Sequence, residues 1–314
     1  MSSKRAIGID IGGTNTTIGL VARDGAILQQ TRLKTKSYET PDAFVEALRA
    51  AIAPMREGGA EIVGIGVGAP NANFYTGEIV HAANLIWKGI IPLARMLREA
   101  TGLPVTITND ANAAALGEGA YGAAKGLADY LVVTLGTGLG SGFVANGKLI
   151  YGHDGFAGEL GHIISVRGGR PCGCGRAGCL ETYVSASGIV RTAEQWLMER
   201  REPSVLHEIS GRLTAWDIHQ AAEKGDSLAI ELFAFTGKML GEALADAVAI
   251  TSPAAIVLFG GLSKAGDLLL GPVREHFDAN VLSLYKGNVQ ILLSALPDAD
   301  AAVLGASALA WGDA

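Results

Sequence analysis

The sequence predicts a two-lobed α/β protein, and three observations lead there. The stretch Tyr130 to Gly147, YLVVTLGTGLGSGFVANG, repeats the plan of Arg5 to Val21, RAIGIDIGGTNTTIGLV: strand, glycine turn with threonine, second strand. Runs of β-branched and apolar residues lead straight into helix starts, at Val105 to Leu116 and again from Ala254. At 314 residues and 49% hydrophobic side chains, the chain exceeds one ordinary domain and can fill two cores.

The first stretch sets the pattern. Glycines at Gly12 and Gly13 let a phosphate approach backbone N–H groups, and Thr14 and Asn15 add side-chain hydrogen bonds. No G-K-[ST] follows, and a strand stands where a P-loop has a helix. Asp10, on the strand just before the turn, is placed to hold a hydrated Mg2+ near phosphates. A third strand or hairpin is expected over 26–34. Thr40-Pro41 opens a helix to about Met55, with Phe44, Val45, Leu48, Ala51 and Ile52 on one face. Ile62 to Ala69 is a glycine-spaced strand, and a helix begins near Pro92 after the loop that carries Asn84.

At Val105 to Leu116, VTITNDANAAAL, a strand ends in Asn109-Asp110 and an alanine-rich helix follows at once. Ligands of α/β proteins sit at such strand ends, so Asp110 stands where a base belongs; it reads alternatively as a plain helix cap. In the echo at 130–147, Thr137 and Gly138 form the second turn, Thr134 falls where Asp10 was, and Asn146-Gly147 marks a hairpin. Two such units can grip a triphosphate from both sides, with the acid supplied by one lobe alone. Helices are expected over 187–201, 214–224, 227–250 and 299–311, and strands over 254–259 and 289–294. Gly260-Gly261 ends a strand and would let a flat ring lie against the backbone, or is an ordinary strand-to-helix turn.

Gly158 to Glu181, GELGHIISVRGGRPCGCGRAGCLE, carries all three cysteines of the chain. His162 precedes C-x-C-x4-C at Cys172, Cys174 and Cys179, which makes four ligands of the imidazole and thiolate kind that tetrahedral Zn2+ takes, with no position left open for water. The site therefore reads as structural. Glu159 and Glu181 bracket it, and closing the knuckle draws them together as a clamp for sugar hydroxyls; Glu181 reads equally as a helix-start carboxylate. If one nitrogen of His162 binds the metal, the other carries the proton and becomes a fixed donor.

Bulk composition narrows the classes. With 25 Lys and Arg against 31 Asp and Glu, the net charge of −6 and the lack of a dense basic patch disfavour nucleic acid as a partner. The start, MSSKRAIGID, has no basic region leading into an apolar segment, and the apolar runs are too short to span a bilayer, so no membrane association and a cytoplasmic location are expected. Three cysteines in one cluster fit a reducing compartment. Forty-three glycines suit binding by backbone amides.

The run Glu159 to Ser185, E-x-G-H then G-x-x-C-x-C-G-x-x-G-C-x-E and Thr182-Tyr183-Val184-Ser185, resembles the signature of the ROK family of repressors, open reading frames and sugar kinases. The first-strand motif, the Asp110 region and the second glycine turn match too, so the resemblance covers essentially the whole chain. It implies the two-lobe fold of the actin, hexokinase and Hsp70 superfamily, with duplicated ribonuclease H-like domains and a cleft between lobes. The expected lobes are 1–114 with a returning C-terminal helix at 298–314, and 115–297 with the zinc knuckle. It implies transfer of the γ-phosphate of MgATP to the 6-hydroxyl of a hexose, with Asp110 as base. Asn84, Asn109, Glu159, His162 and Glu181 would hold the sugar, Asp10, Gly12, Gly13, Thr14, Asn15, Thr137 and Gly138 the Mg2+ and phosphates, and Gly260 and Gly261 the adenosine. Glucose is the expected sugar because Glu159, His162 and Glu181 match the glucokinase branch, with an N-acetylhexosamine kinase or fructokinase as alternatives. A sugar-sensing repressor would need a DNA-binding module ahead of the body, and only six residues precede Ile7; polyphosphate-dependent glucokinases resemble proteins without the cysteines. A homodimer is implied by the resemblance.

Overall fold

The computed structural model describes residues 4–57 and 59–312. Two compact units are present, one comprising the residues up to Val132, Gly142–Gly158 and those from Ser294 onward, the other Val133–Ser141 and Glu159–Leu293. In chain order come β1 (Arg5–Ile11), β2 (Thr16–Ala22), β3 (Ile27–Leu33), α1 (Pro41–Ile52), β4 (Ile62–Gly68), β5 (Ala72–Asn73), β6 (Glu78–Val80), β7 (Ile90–Ile91), α2 (Leu93–Thr101), β8 (Val105–Thr108) and α3 (Asp110–Tyr121). There follow β9 (Tyr130–Leu135), β10 (Leu139–Ala145), β11 (Lys148–Leu149), α4 (Ala186–Glu199), α5 (Ala215–Glu223), α6 (Ser227–Thr251), β12 (Ala255–Phe259), α7 (Asp267–Asn280), β13 (Gln290–Leu293) and α8 (Asp298–Ala310). No described helix is long and apolar enough to cross a membrane.

The first unit is built on the sheet β3-β2-β1-β4-β8, in which β1, β4 and β8 run parallel. The reason lies in the period of two. In β4, Ile65 and Val67 turn to a core that also takes Ile7, Ile9, Phe44, Leu48 and Leu97, all buried. Each such side chain contributes roughly 1.5–3 kcal/mol on leaving water. The alternate positions are glycine. A β-carbon on Gly8 would overlap the Val303 carbonyl, and one on Gly66 the Ala306 carbonyl, so α8 lies directly on bare strand backbone. The helix is seated equally closely on its other side, where a β-carbon on Gly305 would overlap the carbonyl of Ala113 in α3. Glu118, buried in α3, accepts the Ala123 N–H at 2.7 Å and the Ser294 hydroxyl, which ties α3 to the segment leading into α8.

Local chemistry sets the ends. Thr40 caps α1 by accepting the Ala43 N–H at 3.2 Å with Pro41 in the first turn, and Pro54 turns the rest of that helix into a 3-10 segment, Ala53–Arg56. Thr214 and Asp217 form a capping box at α5, and Asp226 caps α6. The second five-stranded sheet has the order β11-β10-β9-β12-β13. Asn146 and Gly147 both have positive φ, 52° and 74°, and make the two-residue turn between β10 and β11. Gly237 and Gly241 in α6 admit the backbone of α7, since β-carbons there would press on Pro272 and Val273. The small sheet β5-β6-β7 was not expected from the sequence; strands of two or three residues carry too little alternation to register.

Because the neighbour at Gly66 is backbone, which cannot rotate away, Gly66→Ala should destabilise the protein by about 3 kcal/mol or more. Chemical denaturation would read this as a lower midpoint, and an unchanged midpoint would mean that α8 is not held in this seat.

Candidate active site and metal centre

The register of the parallel strands brings two carboxylates to one edge. Asp10 pairs across with Gly68, and Gly68 with Thr108, so Asp10 and the Asn109-Asp110 turn stand on either side of the end of β4. Two interstrand steps separate them, about 10 Å of backbone. Gly68 contributes no side chain there, and a β-carbon on it would lie 3.8 Å from the Asp110 Cα. Removal from water, and secondarily the Asp110 charge, pushes the Asp10 carboxyl up to about 6. Asp110 is also raised by loss of hydration, against the opposing pull of the Ala111 N–H, which its Oδ1 accepts at 2.9 Å. By area Asp110 is open to solvent, so the shift reflects protein that thins the water around a carboxylate still able to meet a ligand.

The cap of α3 is Asn109, whose Oδ1 accepts the Asn112 N–H at 2.7 Å. Asp110 is thereby relieved of that duty. Behind it, Asn112 Nδ2 donates to the buried Thr108 hydroxyl at 3.2 Å, locking the strand end to the helix start. The first glycine turn is closed by Gly12 N–H donating to the Asn15 carbonyl at 2.9 Å, and Thr14 and Asn15 are exposed at its tip. Gly13 abuts the Asn84 backbone: a β-carbon would overlap the Asn84 carbonyl. Asn84 itself is exposed on a loop anchored by Leu85 and by Trp87, which packs on Phe44 and donates to the Tyr38 carbonyl at 2.8 Å.

In the second unit, the turn Gly136-Thr137-Gly138 follows β9. Gly260, at φ 105°, abuts the end of that strand, where a β-carbon would come 2.7 Å from the Leu135 carbonyl, so the turn after β12 lies against the end of β9. Glycine is required at this position, while Gly261 faces open space.

The knuckle closes as its spacing implies. The ligand atoms of His162, Cys172, Cys174 and Cys179 lie within 4.8 Å of one another. Cys174 and Cys179 Sγ are 3.6 Å apart and Cys172 Sγ is 3.8 Å from His162 Nδ1. Sulfurs on a tetrahedral zinc stand ~3.8 Å apart, given Zn–S bonds near ~2.3 Å, so this donor set fits the ion. With Nδ1 turned to the thiols, the proton of His162 falls to Nε2, which lies 3.9 Å from Glu159 Oε2. Glu181 occupies a 3-10 turn, Leu180–Thr182, while the cap of α4 is Ser185, so Glu181 is not its helix-start carboxylate. Its Oε1 accepts from Cys172 at 3.3 Å and lies 3.9 Å from His162 Nδ1; its Oε2 accepts the Leu139 N–H at 3.3 Å.

Arg170 escaped the sequence reading. Its guanidinium donates to the Thr182 carbonyl at 3.0 Å, to Thr192 at 2.9 Å and to Gln195 at 2.9 Å, and lies over the Tyr183 ring, binding the knuckle to α4. No motif marks an arginine whose partners are backbone and amides spread along a helix.

Comparison with known proteins agrees over the full chain. The ROK family model matches residues 6–312. A glucokinase of Halalkalibacterium halodurans is 38% identical over 97% of this chain and 94% of its own. An N-acetylmannosamine kinase of Escherichia coli is 33% identical over 98% of both. The crystal structure of a ROK family glucokinase from Streptomyces griseus, in complex with glucose and AMPPNP, superposes with a TM-score of 0.80 at 35% identity, covering 98% of this chain and 99% of that one. The α/β architecture here is accordingly that of the actin- and hexokinase-like sugar kinases, and the chain belongs to the ROK family.

Proposed function

We propose that this chain is an ATP-dependent glucokinase, transferring the γ-phosphoryl group of MgATP to the 6-hydroxyl of D-glucose. The observation that carries the chemistry is the pair Asp10 and Asp110 on the carboxyl edge of β1, β4 and β8. The greater identity to a glucokinase than to an N-acetylmannosamine kinase supports glucose. The family resemblance also supports a homodimer in the cytoplasm.

In this reading Asp110 accepts the proton of the 6-hydroxyl as that oxygen bonds to the γ-phosphorus and the bond to the β,γ-bridging oxygen breaks, releasing ADP. The raised Asp110 suits a general base better than an ordinary aspartate would. Asn84, Asn109, Glu159, His162 and Glu181 hold the sugar, with Nε2–H of His162 as a fixed donor. Gly13, Thr14, Asn15, Thr137 and Gly138 offer N–H and hydroxyl donors to the phosphates, Gly12 shapes the first turn through its own N–H, and Gly260 and Gly261 give a flat seat for adenosine. Asp10 orients the water shell of Mg2+, an ion that neutralises phosphate charge when bound with the nucleotide. His162 and the three cysteines hold a structural Zn2+.

Asp110→Asn should lower kcat by about 10²–10⁴-fold while glucose binding persists, measured by coupled ADP release and by titration with glucose. Turnover near wild type would remove Asp110 as base. Asp10 gives a prediction of opposite sign for stability. Its folded pKa lies above the ordinary 3.8, so its ionisation opposes folding, increasingly as pH rises from about 4 to 6 and fully above that. In magnesium-free buffer at pH 7.5, Asp10→Asn should therefore stabilise the protein by on the order of 1–3 kcal/mol while abolishing MgATP-dependent turnover; destabilisation would show that the carboxylate is needed by the fold. Freshly purified protein should contain one zinc per chain by elemental analysis, and Cys174→Ser should lose the metal and lower the thermal midpoint; metal-free native protein would exclude the zinc assignment.

A further inference from the structure

The turn Gly136-Thr137-Gly138 is gripped from both flanks of the metal knuckle. Upstream, the Leu160 N–H donates to the Ser141 hydroxyl at 3.1 Å, and Gly161 lies so close that a β-carbon would overlap the Leu139 carbonyl. Downstream, Glu181 Oε2 accepts the Leu139 N–H at 3.3 Å and would stand 2.7 Å from a β-carbon on Gly138. Ala186 N–H donates to the Gly136 carbonyl at 2.8 Å, and the Ser187 hydroxyl to the Thr137 carbonyl at 2.7 Å. The same short segment is fixed to the knuckle. Thr182 Oγ1 donates to the Cys179 carbonyl at 2.7 Å, and Ser185 Oγ, 3.1 Å from the Ser187 hydroxyl, donates to the Glu181 carbonyl at 2.8 Å and accepts the Gly188 N–H at 2.9 Å.

We propose that Ser187 is a positioning residue for nucleotide, the last link of a hydrogen-bonded segment, Cys179 to Ser187, through which the metal knuckle sets the conformation of the second phosphate turn. The inference rests on the reading of Thr137 and Gly138 as phosphate contacts. A three-residue turn with two glycines has little conformational preference of its own, so its N–H groups are aimed by whatever holds its carbonyls. Here the Gly138 carbonyl accepts the turn's own Gly136 N–H at 3.1 Å, and the other two carbonyls are held by residues 186 and 187, on the segment that leads out of the knuckle. Metal release would loosen Cys179, then the 180–185 segment, then the turn. Nucleotide affinity thereby depends on the metal even where no sugar is present.

Ser187 lies outside the metal ligands and is exposed, so its replacement separates this role from folding of the knuckle. In zinc-loaded protein without sugar, calorimetry with MgADP should show Ser187→Ala weakened by ~3–10-fold, the worth of one hydrogen bond, with zinc content and glucose KM unchanged and the KM for MgATP raised. Ser187→Thr, which keeps the hydroxyl, should restore both. Stripping zinc with a chelator should weaken MgADP binding to wild type by at least as much as the alanine substitution does. Equal MgADP affinity in wild type and Ser187→Ala at equal zinc content would overturn the proposal, as would loss of glucose and MgADP affinity in parallel. Failure of zinc-loaded wild type to bind MgADP at all would instead overturn the phosphate-turn reading, and the inference with it.

Discussion

The seat of α8 on bare backbone constrains everything that follows in the first unit. Glycine alternates along β4 because a helix must approach the sheet more closely than any side chain allows, with the Val303 and Ala306 carbonyls occupying the space where β-carbons of Gly8 and Gly66 would stand. The opposite face of the same strands takes isoleucine and valine, so a single run of alternating residues serves two incompatible packing distances. With β1 and β4 held in this register, Asp10, Gly68 and Thr108 end in line, and two carboxylates face one edge of the sheet. Loss of hydration raises both carboxyls, although Asp110 remains open to solvent by area.

Much of this was legible in the sequence, for reasons that differ by element. Strands β1, β2, β4 and β8 announce themselves by β-branched and apolar alternation, and α5 and α6 by apolar residues at helical spacing, while their caps Thr214 and Asp226 emerge from the structure. The knuckle was readable because metal coordination demands particular atoms at short spacing, and Cys172, Cys174, Cys179 and His162 come together as that demand implies. What stayed hidden depends on backbone. The contacts of Gly13 with Asn84, of Gly260 with Leu135 and of Arg170 with the Thr182 carbonyl involve groups that every residue possesses, so residue type carries no signal of them. The division of labour at Asn109-Asp110 was likewise invisible: either side chain can cap a helix, and only the geometry assigns the cap to Asn109.

The knuckle segment of the second unit follows a different logic, with irregular elements held by polar networks. Residues 158–188 contain long stretches without regular helix or strand, yet their carbonyls and hydroxyls are joined to β10, to α4 and to one another. Glu181 stands at the junction, one oxygen toward the thiols and the other toward the Leu139 amide. A small irregular motif of this kind cannot draw its order from apolar burial alone, which explains why it is stitched with an arginine laid over Tyr183 and with a metal-binding constellation.

The place of α8 along the chain has a consequence for how the protein is made. The helix belongs to the first unit but is encoded after Leu293, the end of the second. On the ribosome, β1, β2 and β4 emerge early and wait with one glycine-rich face uncovered while the whole of the second unit is synthesised and can already close on itself. The first unit matures only when residues 298–310 appear. The strands made first are thus the last to be covered, and the first unit is completed by the final helix of the described chain.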